Sequence, residues 1–429
     1  MSQAVASNRY DPFAPNPAWT KIKPADASFP GAAGLSTGLI GLGVACIAVV
    51  AAVALGMVKL SGSESGLKYA LFSYHVGFAV ALGMSLGSLG VVMILNAFAA
   101  GWSTTLRRQF ENAAAMLPVV LALFLPVLAA ALLAPGKMFK WMDAAAVAGE
   151  PLAEHKAPYL NINFWILRAA IFFAIWLFLS WRMVGLSRAQ DESGDRRITS
   201  RLRAMSCWGL PLFALSLTFA GFDWFKGLDY KWFSTMFGVY YFAGNTLLAL
   251  ALIIVTLALL RRAGRLQGLV TEDHFHDLGK LLFSFTVFWA YVAFSQYFLI
   301  WYANIPEETA WYQHRMQGGW QVLGALMIVG HFIGPFLILL FRAVKRSPTL
   351  LALVAVWQFL MCSADLFYVI RPMAYPDSSG LEHVWLDVLG WLGPVLVLLG
   401  FFARRVASNP LVPLKDPRLH EAMAHKNYV

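Results

Sequence analysis

The chain reads as an all-α integral membrane protein of about ten transmembrane helices, and three observations carry that reading. Of its 429 residues 59% are hydrophobic and only 13% charged, with a mean hydropathy of +0.62. A soluble domain carries about 25% charged residues. Ten apolar stretches approach or exceed the roughly 20 residues that a helix needs to cross a bilayer. The third observation is where the basic residues fall. With both termini placed in the cytoplasm, 23 of the 33 Lys and Arg lie on the inner side and 9 on the outer, Arg168 alone falling within a span. Arg182, Arg188, Arg196, Arg197, Arg201 and Arg203 crowd one inner connection. This is the positive-inside pattern. The net charge of +10 therefore sets orientation in a lipid membrane and gives no reason to expect a nucleic-acid partner.

The elements follow in order. Residues 1–32 form a polar, Pro-rich cytoplasmic tail, and the apolar run after it, 33–60, is long enough to stay in the membrane as a first span and not be cleaved as a signal peptide. A first set of four spans occupies 67–222, at 67–98, 113–134, 162–184 and 204–222. Gly77, Gly83, Gly87 and Gly90 in the first of these invite close helix packing. Between the second and third of the set, residues 135–161 mix Lys137, Lys140, Asp143, Glu150, Glu154, His155 and Lys156 and are too few for a soluble domain. A second set occupies 223–371, with spans at 233–260, 280–303, 319–341 and 348–370 behind a leading turn. Asp223, Lys226, Asp229 and Lys231 alternate there with Trp224, Phe225, Tyr230 and Trp232, as in an interfacial turn with its aromatics at headgroup level. Both sets open on aromatic clusters (Phe72, Tyr74 and His75; Phe237, Tyr240 and Tyr241), as a parallel internal repeat would. The expectation is two four-helix bundles, with the first span and a tenth at 383–403 packed peripherally. The tail 404–429 reads as a docking strap or a disordered end.

Redox ligands are scarce. Cys46, Cys207 and Cys362 stand alone, without a CxxC or CxxCH pattern, and only His75 and His331 lie well inside spans. The chain is expected to bind no haem, cluster or metal itself and to hold no catalytic residue of its own. Costly polar groups do occur within spans and are functional candidates for that reason. Asp365 needs a partner or a proton at its depth, and Gln358 and Cys362 share its face. In the seventh span Ser284, Tyr291, Ser295 and Tyr302 recur at helical spacing, a row expected to face a protein interior or a wet cavity. The proton-pathway candidates are Asp365, Gln296, Tyr291, Ser295, Asp223, His331 and Gln358. Asp365, Gln296, Tyr291 and Ser295 are expected to line one polar region. His75, Arg168 and Asn163 are candidates for a quinone pocket or for structural polar roles; Arg168 can also snorkel to the headgroups.

Four segments are also recognisable: LLFSFTVFWAYVAFSQYFLIWYANIPEETAWY at 281–312, the HFHDLGK before it, KAPYLNINFWILR at 156–168, and FDWFKGLDYKWFSTMFGVYYFAGN at 222–245. Together they resemble the NrfD-like integral membrane subunits of bacterial alternative complex III, a quinol:cytochrome c oxidoreductase, and are most similar to the second of its two such subunits. The resemblance implies a bacterial cytoplasmic membrane, a sister NrfD-like subunit, and iron–sulfur and multihaem cytochrome c partners that hold the haem c and iron–sulfur clusters and take electrons from quinol. In the sister subunit a His and an Asp near the outer ends of the third and fourth spans go with quinol oxidation. Here Leu128 to Leu133 contain no His, and Asn163 stands where the acid is expected. The resemblance thus implies a scaffold with a proton route or a vestigial quinone pocket. A secondary transporter, and the quinone-binding anchor of a molybdopterin-type reductase, are the alternative readings.

Overall fold

The structure is a computed structural model that describes residues 22, 27–61, 65–374 and 383–427. It is all-α, with no β-strand among the described residues and ten helices long and apolar enough to cross a membrane. The order is α1 (Ala32–Ser61), α2 (Ser65–Ala97), α3 (Thr104–Ala114), α4 (Leu117–Leu133), α5 (Pro151–Lys156), α6 (Ile162–Ser193), α7 (Arg197–Trp224) and α8 (Phe237–Arg262). There follow α9 (Glu272–Ala303), α10 (Pro306–Arg315), α11 (Gly318–Leu326), a π-helical turn (Met327–Ile333), α12 (Gly334–Leu340), α13 (Arg342–Arg346), α14 (Pro348–Ile370), α15 (Val384–Ser408) and α16 (Leu419–Ala424).

Local chemistry sets the boundaries. Pro118 sits in the first turn of α4, where its missing N–H costs nothing, so one span is split into α3 and α4. Gly194 closes α6 in the left-handed conformation, and a Thr271–His274 capping box opens α9. α6, α7 and α9 run past the apolar stretches expected at 162–184, 204–222 and 280–303. Their polar turns are held by other parts of the chain: Asp191 of α6 pairs with Arg108, and Asp277 of α9 with His425, at 2.5 Å.

α2 is the most enclosed span and touches α1, α3, α4, α7, α8, α14 and α15. α2, α4, α6 and α7 form one group; α8, α9, the α11–α12 span and α14 form a second; α1 packs on α15, and both pack on α2. Glycine makes these contacts close. A Cβ on Gly77 would lie 2.4 Å from the Gly390 carbonyl oxygen, and one on Gly87 1.9 Å from that of Asn245. Lipid is as apolar as the helix surfaces, so such close packing does more than hydrophobicity to hold spans together.

Most arginines gather where α2, α6, α8, α12 and α15 end and α3, α7, α9 and α14 begin, hereafter the basic end. The C-terminal tail is a docked strap there. Leu411 N–H donates to the Ala27 carbonyl at 2.9 Å, and Leu411 and Val412 are buried. Asp416 accepts from Arg107 at 2.7 Å. Burial alone would raise its pKa, but Arg107 and Arg418 hold it well below the usual carboxylate range.

Candidate functional site

Two of the buried polar groupings toward the end opposite the arginines hold the candidate residues, one in each helix group; a further one, Arg371 with Asp387 at 3.0 Å, joins the end of α14 to the start of α15. In the second, Asp365 of α14 is 5% exposed. The Tyr240 hydroxyl of α8 donates to its Oδ1, and the Trp289 indole N–H of α9 donates to its Oδ2 at 3.1 Å. The Trp289 ring also lies 3.8 Å from the His331 ring, centroid to centroid, and His331 Nε2 is 3.5 Å from Cys362 Sγ. His331 stands in the π-helical turn. Pro335 has no N–H to give the His331 carbonyl, so the α pattern fails there and a wider turn replaces it.

Steps of four and three place Gln358, Cys362 and Asp365 on one buried face of α14. Gln358 Nε2 donates to Thr286 Oγ1 at 2.6 Å. His331 Nδ1 and Gln358 Oε1 have no hydrogen-bond partner among the described residues. Beyond Asp365, Tyr312 and Tyr368 are electrostatic neighbours of Tyr240. Tyr312 accepts from Gln296 Nε2 at 3.4 Å, and Gln296 Oε1 accepts from Ser234 at 2.9 Å. Arg315 closes this end. It donates to the carbonyls of Trp311, Tyr368 and Val369 at 2.8, 3.0 and 2.8 Å and so caps α14. Burial brings Arg315 down to about 9, which leaves it charged at neutral pH.

From Gln358 to Tyr368 this ladder climbs about 15 Å along α14, half of a hydrocarbon core of about 30 Å. Toward the basic end the same helices bury Leu351, Val354 and Ala355 of α14 and Leu278 and Leu282 of α9. The ladder therefore stops near the middle.

In the first group Arg168 is buried and holds Asp223 with two bonds, Nε to Oδ2 at 2.6 Å and Nη2 to Oδ1 at 3.0 Å. A third bond goes to the Tyr159 carbonyl at 2.8 Å, and the guanidinium lies 3.8 Å over the Tyr159 ring. His75 Nε2 lies 2.8 Å from the Trp224 carbonyl oxygen, and the ring packs on Phe78 and Phe225. Arg168 does not snorkel, because its charge is matched inside the protein. Asp223, expected on a proton pathway, is clamped instead.

Other expectations are corrected. Tyr291 is 65% exposed, Ser284 and Tyr302 are exposed, and Ser295 is half-buried, so the hydroxyl row faces outward and does not join Asp365. The inward face of α9 is Leu282, Thr286, Trp289, Val292, Gln296 and Ile300. Asn163 is exposed and forms no pocket with His75 and Arg168; the side chain that caps α6 is Asn161, accepting from Phe164 N–H at 2.9 Å. The aromatics of 222–232 turn inward too. Trp224 packs among Phe124, Phe173 and Trp176, and Trp232 stacks on Trp311 with centroids 4.4 Å apart.

Sequence reading missed Tyr240 as a ligand of Asp365, and Trp289 altogether. Trp289 stands seven residues before Gln296, a spacing that marks their shared face.

The two groupings differ in what they can do. A carboxyl held by two neutral donors, with no ion pair to a cation among the described residues, can change protonation state without breaking such a pair. One clamped by a guanidinium cannot do so without breaking the pair. Among the described residues no three His, Cys, Asp or Glu side chains come together as metal ligands would. No protein-family model and no curated protein matches the chain.

Proposed function

We propose that the chain is an integral membrane subunit, binding no redox cofactor of its own, of a respiratory quinol:cytochrome c oxidoreductase of the alternative complex III type. It serves as scaffold and moves protons between the end opposite the arginines and the middle of the membrane. The observation that carries the proton role is the buried Tyr240–Asp365–Trp289 contact with His331 and Cys362 beside it. The respiratory setting is supported by the likeness of 156–168, 222–245 and 274–312 to the NrfD-like subunits, and cytoplasmic termini by the excess of Lys and Arg on the inner side. Quinol oxidation belongs to another subunit on this reading. His75 and Arg168 are already engaged by Trp224 and Asp223, and Asn163 stands apart.

Purification of the natively expressed chain in mild detergent tests the setting. The expected result is co-purification of multihaem cytochrome c and iron–sulfur proteins with a second membrane subunit. Recovery of the chain alone points to a transporter, and recovery with a molybdenum protein to a reductase anchor; either result removes this proposal.

A further inference from the structure

At the basic end, charges crowd around α3. Glu111 accepts from Arg107 Nε at 2.9 Å and from the Ser187 hydroxyl at 2.8 Å, and forms an ion pair with Arg108, whose Nε lies 3.5 Å away. Asp191 pairs with Arg108, while Asp416 is shared by Arg107 and Arg418. These three carboxylates are thus committed to Arg107, Arg108 and Arg418. Arg188 of α6 and Arg405 of α15 stand beside them with no carboxylate of their own.

Arg405 is half-buried, its side chain makes no hydrogen bond or ion pair within the described chain, and its Nε is buried without a partner. Its main electrostatic neighbours are Arg188, Arg108 and Glu111. Arg188 has one hydrogen bond, to Asn409 Oδ1. Asn409 is fixed in turn by donating to Asn112 Oδ1 at 3.1 Å. Asn409 closes α15, its N–H donating to the Arg405 carbonyl at 3.0 Å, so the bond from Arg188 brings that guanidinium to the same end of α15 as Arg405. Like charges gathered there repel unless an anion lies between them.

Their level in the membrane is marked independently. Trp181 of α6 is 67% exposed, and Trp208 of α7 is exposed beside Phe178. Such exposed indoles sit at the hydrocarbon–headgroup boundary. Arg188 lies two turns beyond Trp181 toward the basic end, about 10 Å farther along α6. We infer that Arg188, oriented by Asn409 and Asn112, and Arg405 form a phosphate-binding site at the level of the lipid headgroups. Its phosphate comes from an anionic phospholipid or from free phosphate in solution.

The test uses the purified full-length chain in zwitterionic detergent micelles at fixed ionic strength. Added phosphatidylglycerol, phosphatidylcholine and inorganic phosphate are compared by native mass spectrometry and by thermal melting. If lipid is the source, phosphatidylglycerol is retained and raises the melting temperature, while phosphatidylcholine and inorganic phosphate do neither. If free phosphate is the source, inorganic phosphate alone reproduces the effect. In both cases Arg188→Gln should weaken the response about fivefold, and Arg188→Gln with Arg405→Gln about thirtyfold, at the usual contribution of one basic group near an anionic surface. Arg201→Gln with Arg203→Gln, which removes equal charge from exposed positions on α7, should leave it unchanged. Should the double variant not fold, Arg188→Gln at its exposed position carries the test. The site is refuted if neither probe distinguishes itself from phosphatidylcholine, or if the Arg188 and Arg201/Arg203 variants respond alike.

Discussion

Arg168→Ala should destabilise the folded protein by about 3–5 kcal/mol, because it leaves the Asp223 carboxylate buried without its cation. The pair is bidentate and closed from water. Removing one member keeps the desolvation cost of the other and discards what offset it. Replacing both, as Arg168→Met with Asp223→Leu, should cost far less, since apolar residues of similar volume tolerate the same surroundings. The lost bond to the Tyr159 carbonyl sets the residual cost at about 1 kcal/mol. Unfolding of the purified chain in mixed micelles gives all three values. A single variant within about 1 kcal/mol of wild type, the median for an exposed ion pair, would show that the pair is not structural.

Gly87→Ala should also be severe. The added Cβ meets the backbone oxygen of Asn245 at 1.9 Å and its carbonyl carbon at 2.5 Å. Backbone cannot rotate away as a side chain does, so α2 and α8 must separate along the seam where the two helix groups meet. Overpacking usually costs about 1–3 kcal/mol, and a backbone clash at the most enclosed span belongs at or above the top of that range. Gly244 on α8 is the control, since nothing lies within 4 Å of its Cβ position. Gly244→Ala should be neutral or stabilising by up to about 1 kcal/mol through helix propensity. Equal melting temperatures for the two variants would contradict the packing account.

The spans were legible because length and apolarity alone report a membrane helix, and helices of that kind stand at all ten places. Which way each helix faces was not legible. Around a soluble helix polarity separates outside from inside, but lipid and protein interior are both apolar. The Ser284–Tyr291–Tyr302 row does lie on one face, as its spacing says, yet that face looks outward while Trp289 and Gln296 look inward. Close packing was better marked, because glycines within α2 announce where backbones approach. Pairings between distant segments were hidden. Arg168 and Asp223 stand at matching depths on different spans, and no local pattern joins them. The ends of α6 and α9 were misplaced because their charged turns are stabilised by Arg108 and His425, residues remote in sequence.

We propose that Asp365, held by Tyr240 and Trp289, exchanges protons when the complex turns over. The measurement is proton translocation per quinol oxidised, in proteoliposomes with the complex carrying Asp365→Asn. Asparagine keeps the shape and a hydrogen-bonding group but cannot bind and release a proton at this position. The expected result is an assembled complex that still oxidises quinol, with proton translocation reduced. Translocation at the wild-type ratio would exclude a proton role for Asp365, and loss of quinol binding with assembly intact would mean that this chain holds the quinone site.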